Sequence, residues 1–397
     1  MDDSDSTRST TVADVVVVGS GPAGCAAARS LASHGLRVVV VEKHALPRYK
    51  TCGGGVVRRA AELAGIDLTA LGGRECHAAE LHIRDAGLHF VVRREEPILW
   101  TTMRAELDAR PCAAARREGA VVRARCAALG MTMQRDGLLL RTSTGSIRAR
   151  FVIAADGCTS RVARWAGWSN HPACIPALEG ELRVEPRVLE RHAGVARFDF
   201  GTIPHGYAWV LPKRSHLSVG ILSMRRGRLD LRRLLEGHLQ GLGIPTGLGM
   251  ECHGALVPVA PRSGPFARGR VLLTGDAAGF VDPLTCEGIS GAIRSGRLAA
   301  QALCEGKLDP GRVRETYDAR IREEILPELR LARLLTSAVY RSGACRAWLF
   351  RRFGPAFCEA MVDVITGRRT YRELLASPAS YRQLAGTLVR SPHRACP

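Results

Sequence analysis

Near the start of the chain, Gly19-Ser20-Gly21-Pro22-Ala23-Gly24 carries the spacing G-x-G-x-x-G. Gly19 permits a tight turn, Gly21 lets the backbone approach a pyrophosphate, and Gly24 lets a helix pack closely on a strand. Glu42 follows 18 positions beyond Gly24 (42 − 24), where an acid accepts hydrogen bonds from a ribose hydroxyl pair. Together these residues predict dinucleotide binding. A glycine-rich turn in some other α/β fold would leave Glu42 unexplained. Cys52-Gly53-Gly54-Gly55 strips three side chains from a place where the backbone passes close to something large, and sets a thiol beside it. Asp156-Gly157 and Gly275-Asp276 are acid–glycine pairs, each following an apolar run. Tyr207 and Trp209 have strand spacing, so both rings face one way and either line an apolar tunnel or pack between lobes.

The elements that position these groups are legible in the hydrophobic pattern. Val12 to Val18 is a near-continuous apolar run, as in a strand buried on both faces of a parallel sheet. A helix is expected from Pro22 to His34 with Gly35 as its stop, then a strand from Leu36 to Val41 that ends at Glu42. The helix N-terminus offers free N–H groups and a positive dipole end to phosphates. Glu80 to Arg93 predicts a hairpin around Asp85-Ala86-Gly87, Thr101 to Gly119 a helix, and Phe151 to Ala155 a buried strand leading into Asp156. Alternation in GELRV, ARFDF, YAWVL and HLSVGIL, between Leu178 and Pro258, predicts an antiparallel sheet with polar turns such as Pro212-Lys213-Arg214. Val271 to Leu273 resumes the α/β pattern, and a helix follows from Gly288. The expected fold class is α/β plus β. A Rossmann-like dinucleotide-binding domain is assembled from residues 1–75, 100–165 and 266–308. An antiparallel β-sheet substrate domain (76–99 and 166–265) is inserted into it, and a C-terminal helical region covers 309–397.

Bulk composition narrows the class. No apolar run reaches the roughly 18–20 residues that span a bilayer, and the opening MDDSDSTRST reads as a disordered lead-in rather than a secretion signal. The 13 cysteines stand singly, without CxxC pairs or zinc spacing, so a reduced cytoplasm is expected, with no disulfide framework and no metal. His77, His82 and His89 lie near one another and are read as solvated strand residues. The net charge of +19 is spread through the chain with no aromatic-interleaved basic stripe, which argues against nucleic acid. Such a field suits anionic lipid, a diphosphate or an acidic electron-transfer protein; biased Arg usage explains it equally well. Trp348-Leu-Phe350-Arg-Arg-Phe353 has the composition of a headgroup boundary, giving peripheral contact with the inner face of the membrane or a plain cap on the β lobe.

Taken together, the glycine fingerprint, the strand into Asp156-Gly157, and the run Gly275-Asp276 through Asp282-Pro283 to Gly288 resemble flavoprotein hydroxylases of the p-hydroxybenzoate hydroxylase-like fold. That resemblance implies FAD. It places Asp156 near the pyrophosphate and Asp276 on the ribityl chain. The helix beginning at Gly288-Ile289 aims its N–H groups at the flavin N1–C2=O edge, and Arg104 matches an arginine that contacts the flavin. Ala23, Lys43, Cys52, Gly53, Gly54, Gly157 and Gly275 complete the implied cofactor contacts. Within that fold, Pro47-Arg-Tyr-Lys50-Thr-Cys52-Gly-Gly-Gly55 and Tyr207-x-Trp209-x-x-Pro212 look like the signatures of the geranylgeranyl reductase family. Flavin-dependent halogenases are similar but carry Trp where Tyr207 stands. The family resemblance implies reduction of carbon–carbon double bonds in an isoprenoid chain, with Gly55, Tyr207 and Trp209 at the substrate. Cys52, Tyr207 and His205 are candidate proton donors, Cys52 being equally a small packing thiol. Cys286 departs from a glycine common in the family at that position. A monooxygenase on an apolar substrate is the alternative activity, and a flavin-bearing lipid- or partner-binding protein a third reading. With one G-x-G-x-x-G, a nicotinamide has no domain of its own. NADPH docking transiently, reduced ferredoxin or a quinol are all candidate electron donors.

Overall fold

The structure, a computed structural model, describes residues 10–376 apart from Arg226. Most of the expected lead-in, and the last part of the region expected to be helical, lie outside the described residues. The run Thr11–Val18 is a strand whose last four residues, Val15 to Val18, are buried, while Val12 near its start is exposed. It pairs in parallel with Val38–Val41 and with Gly145–Ala154 at the centre of an eight-stranded sheet. Val121–Arg123 extends that sheet beyond Val38–Val41, and Val271–Leu273 lies beside Gly145–Ala154 on the other side. Two helices cross it, Pro22–Ser33 and Ile289–Glu305, and their contact is as tight as backbone allows. A Cβ on Gly296 would sit 2.2 Å from the carbonyl oxygen of Ala23.

The second sheet has seven strands, in the order Met250–Ala260, Ala173–Leu182, Leu217–Ser223, Gly206–Pro212, Val195–Phe200, Ala78–Ile83 and Leu88–Arg93. The expectation of an antiparallel sheet holds for every pair but one: Val195–Phe200 runs parallel to Ala78–Ile83. The hairpin of 78–93 reaches this sheet through a long connection, and only a tight two-residue hairpin would force antiparallel pairing. A small sheet of Gly55–Val57, Leu99–Thr101 and Arg74–Cys76 lies where the Cys52 segment leaves the nucleotide lobe. The helix expected from Thr101 starts instead at Arg104, because Leu99–Thr101 is spent on that sheet.

Two further elements were not read from the sequence. The hairpin Ala128–Gln134/Gly137–Thr142 extends the first sheet. The helix Leu231–Gly241 interrupts the β region with its buried residues Leu235, His238 and Leu239 spaced by three and four. Four helices, Pro310–Glu324, Leu326–Tyr340, Gly343–Thr366 and Tyr371–Ala376, complete the described chain. Tyr340, Phe350 and Met361 from these helices share one apolar cluster with Tyr207 and Trp209 of the sheet. The C-terminal aromatic segment is therefore divided: Phe350 is core, whereas Trp348 is 62% exposed. Among the described residues no helix is long and apolar enough to cross a membrane.

Candidate functional site

The nucleotide end is built from backbone. Gly19 has φ +104°, and a Cβ there would lie 2.3 Å from the carbonyl oxygen of Ala155. A Cβ on Gly24 would lie 2.0 Å from the carbonyl oxygen of Gly19, so the strand-to-helix turn tolerates no side chain at either position. Gly21 is the N-cap of the helix, Pro22 opens it, and Ala23 faces Gly275. Glu42 is buried at the end of its strand. One carboxylate oxygen accepts from the Ser20 N–H (3.1 Å), the Ser20 hydroxyl (2.8 Å) and Arg48 Nε (3.4 Å), and the other accepts from the His44 N–H (3.0 Å). Oε1, with one protein donor, retains a lone pair for a ribose hydroxyl. Lys43 is exposed beside it. Across the turn, Asp156 Oδ2 accepts from the N–H groups of Arg161 (2.9 Å) and Val162 (3.2 Å). Its Oδ1 is buried without a partner, and burial raises the carboxyl's pKa. Gly157 follows at φ +85° with open space around it.

The second end is the segment Cys52–Gly55. Gly54 has φ +75°, and a Cβ on it would lie 2.1 Å from the carbonyl oxygen of Thr102. A Cβ on Gly53 would lie 3.0 Å from Trp209 Nε1, and one on Gly55 3.7 Å from Leu211 Cδ1. The glycine run thus lies flat against one face of the strand Gly206–Pro212. Tyr207 and Trp209 share that face, with ring centroids 6.0 Å apart, as their spacing predicts. Gly220, directly across from Trp209, makes its slot: a Cβ there would fall 2.1 Å from the indole. The Tyr207 hydroxyl donates to the Thr285 carbonyl (3.3 Å). Burial, with Cys286 and Tyr340 adjacent, raises that phenol well above its ordinary value, so it stays protonated at neutral pH.

His205 does not join this face. It is exposed at φ +52° in the turn that precedes the strand, and that turn breaks the alternation connecting it to Tyr207. The Cys52 thiol lies against the Arg104 guanidinium. Arg104 in turn donates twice to Asp108, at 3.0 Å from both Nε and a terminal nitrogen.

Gly275 holds φ +53° and donates its N–H to Ser295 (2.9 Å). Asp276 is half-buried, with one oxygen 3.7 Å from where a Cβ on Gly288 would lie, so it faces the start of the helix that Ile289 opens. Cys286 sits at φ +56°, a conformation that glycine adopts freely. Its thiol meets the Tyr207 hydroxyl, and burial pushes the thiol up to about 12. Cys286→Gly is expected to be close to neutral in thermal melting. Release of about 1 kcal/mol of left-handed strain is offset by a comparable loss of backbone order. A fall of several degrees would mean that thiol packing dominates.

Sequence reasoning missed the groups beneath the glycine run. Glu179 accepts from the Cys52 N–H (2.8 Å), and Lys213 approaches Gly54 from the sheet. Arg48 and Asp108 were missed as well, and they connect Glu42 to Arg104. The only prior signals were the i,i+4 spacing of Arg104 and Asp108 and the inclusion of Arg48 in the segment ending at Gly55. The structure also brings Glu80, His82 and His89 together, with the two imidazoles stacked at 4.2 Å; His77 stands apart, on the Glu95 carbonyl and Glu75.

A flavin dinucleotide fits these residues on two observations. Gly19 and Gly24 hold the strand-to-helix turn tight, while Gly21 and Gly157 leave room beside it, with nothing nearer than 3.7 Å to a Cβ at either. Two buried polar atoms, Asp156 Oδ1 and Trp209 Nε1, have no partner among the described residues.

The comparisons with known proteins agree. A family model described as an FAD binding domain matches residues 12–177. Digeranylgeranylglycerophospholipid reductase 1 of Methanopyrus kandleri is 34% identical over 74% of this chain and 80% of its own length. The chloroplastic geranylgeranyl diphosphate reductase of Arabidopsis thaliana is 27% identical over 95% of this chain and 85% of its own. In fold, the chain is similar to the crystal structure of a geranylgeranyl bacteriochlorophyll reductase-like protein of Thermoplasma acidophilum. The TM-score is 0.75, at 24% identity, over 96% of this chain and 97% of the other. With the dinucleotide turn, the glycine run and the aromatic wall in place, this chain belongs to the geranylgeranyl reductase family of FAD-dependent oxidoreductases.

Proposed function

We propose that the protein reduces carbon–carbon double bonds of an isoprenoid chain. The observation that carries this reading is the apolar wall of Tyr207, Trp209 and Leu211 packed along Gly53–Gly55, next to the dinucleotide turn in the chain's order of elements. FAD, when bound, supplies the hydride. An isolated trisubstituted alkene is a poor hydride acceptor, so the chain must deliver a proton to the neighbouring carbon. Cys52 and Tyr207 lie at this wall; His205, on the surface, does not. Arg104 fixes the position of the Cys52 thiol, and Asp108 fixes Arg104. Gly19, Gly21, Ala23, Gly24, Glu42, Lys43, Asp156, Gly157, Gly275, Asp276, Gly288 and Ile289 form the binding surface for the dinucleotide.

A pyridine nucleotide or a reduced ferredoxin, docking transiently, is the electron source in this reading. Contact with the membrane that holds the substrate is supported by Leu334 and Trp348, 70% and 62% exposed on arginine-rich helices. Anaerobic incubation of the reduced holoenzyme with a panel of prenyl substrates tests the activity. Products should gain about two mass units per double bond, the two hydrogens of one reductive step. Oxygenated products, appearing only in air, would assign the site to a monooxygenase instead. Cys52→Ala is expected to slow alkene reduction by about 10²-fold while retaining FAD, as judged by flavin absorbance per protein. A full rate would remove Cys52 as the donor.

A further inference from the structure

The stripe Tyr207, Trp209, Leu211 continues by the same alternation to Lys213, and the apolar face ends there in charge. Lys213 is only 2% exposed. Its ammonium donates to Glu181 Oε1 (3.0 Å) and lies 3.8 Å from Glu179 Oε1. Glu181 Oε2 accepts from His216 Nε2 (2.6 Å), and His216 lies half-buried in the turn that opens to solvent. Glu179, 1% exposed, accepts from the Ser218 hydroxyl (2.8 Å), the Tyr49 hydroxyl (3.2 Å) and the Cys52 N–H.

Burying this many charges is costly, and an apolar replacement is often as stable, so their retention calls for a role. The charge count suggests one. Lys213 and Glu181 cancel. Glu179 is then a second carboxyl sharing one ammonium, held otherwise by neutral donors. One additional proton neutralises the cluster, and it can sit on the Glu179 carboxyl against the Cys52 loop or on the His216 imidazole at the surface. Burial raises Glu179, with Lys213 opposing and Glu181 reinforcing. Burial also raises Glu181, but His216 and Lys213 outweigh it and hold that carboxyl low. The other titratable groups facing this cluster are Tyr49 from the loop and His253 and Glu251 on the neighbouring strand; those two pair with each other.

We infer that His216, Glu181, Lys213 and Glu179 form a one-proton inlet, carrying protons from solvent to the Cys52 loop. The inference rests on the reductase reading. Each turnover converts C=C to CH–CH by adding one hydride, whose two electrons come from reduced FAD, and one proton. Tyr207 and Trp209 belong to a buried apolar cluster, so a proton consumed beside them must be replaced from outside. The four residues are positioning and relay groups, and none is placed on the substrate.

Two measurements on the holoenzyme test this. In infrared difference spectra across a pH titration, wild type should show a buried protonated-carboxyl band that Glu179→Gln abolishes. In anaerobic turnover with saturating prenyl substrate, His216→Ala should lower kcat by about tenfold or more, with KM and flavin content unchanged. Its solvent isotope effect should rise, and imidazole in the buffer should restore the rate. Loss of rate without rescue and without an isotope effect would make His216 structural and overturn the inlet. Normal prenyl reduction by a wild type that lacks the Glu179 band would overturn the inlet alone. A wild type that shows the band but reduces no prenyl alkene would overturn the reductase reading, and with it the delivery role.

Discussion

Gly54→Ala is expected to lose about 2–5 kcal/mol of stability and most of its alkene-reducing activity. Two independent effects add. At φ +75° a Cβ carries a left-handed penalty of about 1–2 kcal/mol. It would also lie 2.1 Å from the carbonyl oxygen of Thr102, where forced overpacking costs about 1–3 kcal/mol. The carbonyl is backbone, and the other close atoms, Lys213 Cε and Nζ at 3.1 and 3.2 Å, belong to a side chain held by Glu181. Gly54 and Thr102 are further tied by an N–H···O=C bond of 3.0 Å, so the strain is relieved only by moving the loop. Moving it breaks the 2.8 Å bond from the Cys52 N–H to Glu179 and lifts the thiol away from Arg104. The control is Gly55→Ala, whose Cβ would meet nothing closer than 3.7 Å at an ordinary φ. Thermal melting, flavin absorbance per protein and anaerobic turnover separate the two variants. If Gly54→Ala behaves like Gly55→Ala in all three, the loop is free to relax and the strain argument fails.

How far the site could be read in advance depended on whether each residue's role is local in the chain. Gly19 and Gly24 are constrained by a turn that spans six residues, so their spacing alone announced the turn. Tyr207 and Trp209 share a face by strand periodicity, and so they could be paired without a structure. Glu179 and Lys213 could not. In the run Ala177-Leu-Glu-Gly-Glu-Leu, Glu179 reads as a polar residue on a solvated face, yet that face is covered by the Cys52 loop from 127 positions earlier in the chain. Lys213 was read as part of a polar turn with Arg214. One residue separates a buried ammonium from an exposed guanidinium, and only the register of three strands decides which is which. The parallel pairing of Val195–Phe200 with Ala78–Ile83 was hidden for the same reason, being a contact between distant segments with no turn to mark it. His205 failed in the opposite way. It was a candidate proton donor that could equally shape the turn before Gly206, and its positive φ and exposure put it in that turn.

Asp108→Ala is expected to destabilise the protein by about 3–5 kcal/mol, the range for removing one partner of a buried ion pair. Asp108 accepts two bonds from Arg104 and lies 3.3 Å from Arg48, whose Nε reaches Glu42 at 3.4 Å. Two guanidiniums and two carboxylates form one neutral chain from the nucleotide strand to the Cys52 thiol. Arg104 is 6% exposed; burial lowers its pKa, but Asp108 and then Cys52 outweigh burial and hold it charged. Deleting Asp108 therefore leaves a charge that can neither reach water nor lose its proton. Asp108→Asn retains one acceptor and should lose less than Asp108→Ala, which distinguishes lost charge from lost packing.

The other carboxylate adds a pH dependence of known sign. Burial pushes Glu42 up, but the His44 and Ser20 N–H groups and Arg48 hold it below its ordinary value. Its contribution is complete above the unfolded carboxylate value and is lost as pH falls through the lower folded one. Urea unfolding at neutral and mildly acidic pH reads both effects. The Asp108→Ala deficit should persist at each pH, since its cause is two arginines that do not titrate. A deficit that vanishes at neutral pH would mean that water or an anion reaches Arg104. The guanidinium beside the Cys52 thiol would then be open to solvent rather than fixed by the chain.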